Sequence, residues 1–164
     1  DLPAADVGRP VLLPPDPRRA FGRSAAWLGF GGLLPFIGLA LTAFVDRHHG
    51  IVWADALVAY GAVILSFVGA LHWGFAMALP GMPQALRRNC FVWSVVPALI
   101  AWPAMMLEPV LGAPLLMAGF VAHIWQDHRL AGRIALPAWY LPLRRQLSIV
   151  ACVCLALGAF SVSR

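Results

Sequence analysis

The chain has 164 residues, of which 61% are hydrophobic and 12% charged, against about 45–50% and about 25% in an ordinary soluble domain. That balance excludes a soluble globular protein and a disordered one, and leaves an integral membrane protein. The net charge is +5 and all the basic residues are Arg, but they stand at the ends of apolar runs, so no nucleic acid is expected as a partner.

Residues 1–24 open with DLPAADVGRPVLLPPDPRRA and read as a Pro-rich extended arm. Residues 25–164 then read as a five-helix transmembrane domain, since roughly 20 apolar residues cross a bilayer core about 30 Å thick. The first span is Ala25 to Val45, with Pro35 in its middle, and the second is Ala56 to Leu79. The third is Cys90 to Leu107, with Pro97 and Pro103, and the fourth is Pro109 to Gln126. The fifth, Leu147 to Val162, is short. Central prolines are tolerable in membrane helices where neighbours satisfy the freed carbonyls. The fold expected is an all-α bundle of five transmembrane helices.

Orientation follows from the placement of Arg. With the N-terminus inside, the inner segments hold Arg9, Arg18, Arg19, Arg23, Arg87, Arg88, Arg129, Arg133, Arg144 and Arg145, while the outer ones hold Arg47 and Arg164. The alternation holds at every loop and puts the C-terminus outside. The inner segment between Arg129 and Arg145 contains LPAWYLPLRR, whose Trp139 and Tyr140 suit the headgroup layer; it is expected to lie along the membrane surface. In the outer loop, Asp46, His48, His49 and Asp55 read as a solvated loop, and no metal site is expected. Cys90, Cys152 and Cys154 are odd in number and argue against a disulfide framework. Cys152 and Cys154 read as small apolar fillers.

One polar layer crosses the apolar spans. His72 falls roughly 6 Å inward of the centre of the second span, and His123 about 7 Å inward of the centre of the fourth. Ser94 on the third span reaches about the same depth. Asp127 follows His123 by four residues, on the same helical face, with Trp125 and Arg129 close by in sequence. Ionisable residues inside a membrane are a functional hypothesis by default. His72, Trp73, Ser94, His123, Asp127 and Arg129 are therefore the candidate ligand-binding residues, for a quinone or a lipid headgroup. The plainer reading is that the histidines glue helices together; axial ligation of a haem by His72 and His123 is a further alternative that nothing else in the chain marks. Trp73 and Trp102, deeper than the other Trp residues, are expected to line a packed interior.

Ala62, Ser66, Ala70 and Gly74 recur every four residues on the second span and form a small stripe against which another helix backbone can close. No phosphate-binding loop, nucleophile elbow, HExxH zinc motif or CxxC pair occurs. The chain is therefore not expected to be an enzyme, and no span has the repeated charges of a pump.

Four stretches carry a resemblance: LGFGGLLPF (28–36), YGAVILSFVGALHWG (60–74), WSVVPALIAW (93–102) and LPAWYLPLR (136–144). In this order they resemble the bacterial and mitochondrial family of uncharacterised membrane proteins that includes transmembrane protein 69. The resemblance implies a small inner-membrane helical bundle, of the bacterial cytoplasmic membrane or the mitochondrial inner membrane, and carries over no catalytic residue. The function expected is that of a non-catalytic accessory or assembly subunit of a large respiratory or photosynthetic membrane complex, with that complex's subunits and membrane lipids as partners. The alternative is a quinone- or lipid-binding membrane protein; a quinone or a bound phospholipid is the only cofactor entertained.

Overall fold

The computed structural model describes residues 17–163, with side chains from residue 22 onward. Among these residues the chain is all-helical: α1 Pro17–Gly31, α2 Leu33–Val45, α3 Gly50–Ala78, α4 Gln84–Ala104, α5 Pro109–Ala131 and α6 Tyr140–Val162. Four stretches are long and apolar enough to cross a membrane: Gly22–Val45, Gly50–Ala78, Pro109–Ala131 and Tyr140–Val162. The first is α1 and α2 read together. The helix α4 is not among them, because it opens on QALRRN. The chain is thus a helical membrane protein.

The helix α5 starts at Pro109, as expected, whereas α1, α3, α4 and α6 start earlier than the apolar runs suggest, for local reasons. The helix α1 begins at Pro17, so the part of the expected arm from residue 17 on is helical; a proline opens a helix without loss, since the first N–H has no intrahelical partner. The remainder of the expected arm, residues 1–16, lies outside the described residues. The expected first span is broken between Gly31 and Leu33, which puts Pro35 in the first turn of α2 instead of mid-helix. The hydroxyl of Tyr60 donates to the Gly32 carbonyl at 2.8 Å, tying α3 to the break. The segment expected to lie along the membrane surface is shorter than predicted: α5 runs on to Ala131 and α6 already starts at Tyr140. Pro142 again falls in a first turn, where it is tolerated.

The long helix α3 is the centre of the bundle and packs on α2, α4, α5 and α6, whereas among the described residues α1 meets α2 and α6 alone of the helices. The core joins Phe36 of α2, Leu57, Val58 and Leu65 of α3, Leu116 and Phe120 of α5, and Leu155 of α6. Close approach is set by glycines other than the expected stripe. A Cβ at Gly69 would stand 2.8 Å from Pro97 Cγ and 3.0 Å from the Ser94 carbonyl oxygen, so α3 and α4 touch there. Gly112 sits directly against the Ala104 carbonyl, joining α4 to α5. Of the stripe, Ala62 is buried and Ser66 half-buried, its hydroxyl bonded to the Ala62 carbonyl at 2.8 Å. Ala70 and Gly74 are exposed. At the far end of α3, Arg87 donates to the carbonyls of Ala76 and Leu79, a cation closing the negative end of a helix.

Candidate functional site

Three helices bring a polar cluster together inside the apolar bundle. His72 of α3 and His123 and Asp127 of α5 are all 0% exposed. Helix α6 adds Tyr140, Arg144 and Ser148, spaced one turn apart on a single face and all buried. Asp127 is the hub. Arg144 Nε donates to its Oδ2 at 3.3 Å, and the Tyr140 hydroxyl donates to its Oδ1 at 3.3 Å. His72 Nε2 and His123 Nε2 approach the same Oδ1 at 3.6 and 3.8 Å, beyond hydrogen-bond range. The two imidazoles meet edge to face with centroids 4.9 Å apart.

Trp93 of α4 fixes the tautomer of one ring. Its indole N–H lies 3.0 Å from His123 Nδ1 and can only donate. Nδ1 is therefore an acceptor, and the neutral ring carries its proton on Nε2, facing Asp127. Several buried polar atoms have no hydrogen-bond partner among the described residues: both nitrogens of His72, His123 Nε2, Arg144 Nη2 and Ser148 Oγ.

His72, His123 and Asp127 offer three donor atoms within 4.8 Å of one another, a set that suggests a divalent metal. Two features of the cluster oppose it. A metal on His123 Nε2 moves the proton of the neutral ring to Nδ1, where it would meet the Trp93 N–H head on. A divalent ion beside Arg144, with Asp127 as the single anion, would also bring a net +2 into the membrane, a charge far too costly to bury unpaired. The donor set does not fit a metal. Nor do the rings fit haem ligation, since they touch each other and leave no gap for a macrocycle.

The sequence candidates divide cleanly in space. His72, His123 and Asp127 converge. Ser94 is buried but donates to the Phe91 carbonyl at 2.6 Å, within its own helix. Trp73 is half-exposed, its indole directed at Met77 Sδ at 2.9 Å, and Trp102 is 68% exposed. Neither lines the interior, because a lipid-facing surface accepts large apolar side chains as readily as the core does. Arg129 is exposed and lies over the Trp125 ring, 4.6 Å from its centroid. Tyr140 and Arg144, which the sequence placed at the headgroup layer and in an inner segment, join the cluster, as does Ser148, which the sequence did not single out. In the loop between α2 and α3, Asp46 accepts from Trp53 Nε1 at 3.1 Å and pairs with His49 at 3.1 Å. The Trp53 hydrogen bond holds the Asp46 carboxyl below its ordinary range, His49 adding to the effect.

Next to the cluster lies a cleft of about 450 Å³ between α1, α2, α3 and α6. Its walls are largely apolar, and the polar side chains on them are Trp139 and, from α6, Tyr140, Arg144 and Ser148. Leu28 and Phe67, both largely exposed, stand at its rim. The two residues of α6 that hold partnerless donors, Arg144 and Ser148, thus line this cleft as well.

Fold and site together define a small helical membrane protein with an ion-paired, histidine-containing centre. The chain belongs to the family described as "Protein of unknown function (DUF3429)", whose model matches residues 22–160. It is similar to transmembrane protein 69 of Xenopus tropicalis, with 36% identity over 133 residues, covering 79% of this chain and 51% of that protein. It is also similar to transmembrane protein 69 of Mus musculus, with 26% identity over 149 residues, covering 86% of this chain and 60% of that protein. The chain therefore spans between about half and three-fifths of the length of these relatives. No solved structure matches.

Proposed function

We propose that this protein binds an amphiphilic membrane molecule, a quinone or a lipid, in the cleft between α1, α2, α3 and α6, with the polar head against Arg144 and Ser148. One observation carries the reading: Arg144 and Ser148 line a largely apolar cleft, and each keeps a buried donor, Nη2 and Oγ, without a partner among the described residues. Each such group costs about 1–3 kcal/mol when left unmatched, and an acceptor seated in the cleft would remove that cost. The volume suits a small-molecule site, for which about 300–1,000 Å³ is usual. In this reading the chain crosses the membrane five times, α4 included, with its N-terminus inside, in the bacterial inner membrane or its mitochondrial counterpart.

The test is extraction. The protein is purified in mild detergent and its co-purifying quinones and lipids are quantified by mass spectrometry, for the wild type and for Ser148→Leu, which removes one donor and fills the cleft. A several-fold drop of one molecular species in a variant that keeps its melting temperature supports the proposal. Unchanged content of every species refutes it.

A second reading, that of an accessory or assembly subunit of a respiratory or photosynthetic complex, draws on a different observation. Ala70 and Gly74 are exposed on α3, and a Cβ at Gly74 would meet nothing within 4 Å, so a foreign helix could close against that face. Native-gel migration with a large complex, lost in Ala70→Leu, supports this reading; migration as a small free species counts against it.

A further inference from the structure

The cleft also specifies what kind of head it takes, and this step rests on the binding reading above. We infer that the occupant is a quinone, its uncharged ring seated against Arg144 and Ser148. Three observations converge on that class.

The first is charge. Arg144 is already paired with Asp127 through Nε at 3.3 Å, so the cluster is net neutral as it stands. A phosphate or carboxylate head would place a second anion beside the single guanidinium and leave net negative charge in the membrane interior, at a cost of several kcal/mol per ion. A cationic head would meet the guanidinium directly. An uncharged head leaves the balance intact.

The second is the surplus of donors. Arg144 Nη2 can only donate, and Ser148 Oγ has its proton free to give. The nearby Tyr140 hydroxyl already spends its proton on Asp127. A ring carbonyl only accepts and satisfies this arrangement, whereas a sterol or glyceride hydroxyl accepts as well but brings a proton that needs a further acceptor of its own.

The third is shape. Phe36, Phe67, Phe120, Trp139 and Tyr140 all line the cleft. Aromatic walls suit a flat conjugated ring, which they contact face on or edge on. The exposed Leu28 and Phe67 at the rim leave an apolar tail to run into the bilayer.

The measurement is binding to the full chain in detergent, followed by quenching of Trp fluorescence, since Trp139 lines the cleft. The probes are a benzoquinone with a ten-carbon tail, a diacylglycerol and a lysophosphatidic acid, the latter two read by competition and by equilibrium dialysis. The inference predicts that the quinone binds most tightly and that Ser148→Ala weakens it about two- to tenfold, the loss of one hydrogen bond. If the diacylglycerol or the lysophosphatidic acid binds more tightly and Ser148→Ala weakens that binding instead, the quinone assignment is overturned while the cleft remains a binding site. If no probe binds and Ser148→Leu changes nothing, the binding reading itself falls and takes this inference with it.

Discussion

Replacing Asp127 by Asn keeps the size of the side chain and an acceptor for Tyr140 but removes the charge that faces Arg144. The guanidinium, with a side chain 7% exposed, is then left as an uncompensated cation among apolar neighbours. Breaking a buried ion pair from one side costs about 3–5 kcal/mol, whereas removing both partners together is often close to neutral. Asp127→Asn is thus expected to destabilise the bundle by about 3–5 kcal/mol, and Asp127→Asn combined with Arg144→Met by about 0–2 kcal/mol. The double variant should be the more stable of the two. Unfolding in mixed micelles titrated with a denaturing detergent, followed by Trp fluorescence, measures both. A single variant within about 1 kcal/mol of the wild type, or a double variant less stable than the single, would show that the pair does not bridge α5 and α6 as described.

Two further outcomes follow from local geometry. Gly112→Ala drives a methyl into the backbone carbonyl of Ala104 and should cost about 1–3 kcal/mol, while Gly38→Ala, with nothing within 4 Å of the added Cβ, should be neutral or slightly stabilising in the same unfolding assay. Trp53→Phe removes the leading hydrogen bond to Asp46 and should move its carboxyl titration up toward the ordinary range, read by NMR. Because the folded value is depressed, the stabilising effect of this contact is present above the unfolded pKa and lost as pH falls through the folded one, and the variant should lose that acid sensitivity.

How far the site was legible in the sequence depends on helical angle. His72, His123 and Asp127 could be found by depth alone, and His123 and Asp127 share a face at four residues' spacing. The same geometry separates their neighbours: Trp73 lies about 100° from His72 and Arg129 about 200° from Asp127 around the axis, so both face outward. Tyr140 and Arg144 were hidden by a resemblance of another kind. A Trp-Tyr pair followed by two Arg residues looks like an anchor at the headgroup layer, and Pro142 looks like a reason for the helix to begin later. Prolines in a first turn cost nothing, so α6 starts at Tyr140 and turns one of the two Arg residues inward. Arg145, one position on, stays exposed. The break at Gly32 was likewise masked by an apolar run that is continuous in composition but not in hydrogen bonding. The coarse architecture, helices of membrane-crossing length with little else, followed directly from composition.

The pairing of Asp127 with Arg144 also bears on how the chain enters the membrane. Each residue alone would penalise the insertion of its helix, by at most about 2.5–3.5 kcal/mol, the cost of such a residue at a helix centre. The two lie on consecutive helices, α5 and α6, joined only by residues 132–139. The counter-charge for each helix is therefore carried by its immediate neighbour in the chain, and the favourable unit of integration is the α5–α6 hairpin, with its two opposite charges neutralised before either meets lipid.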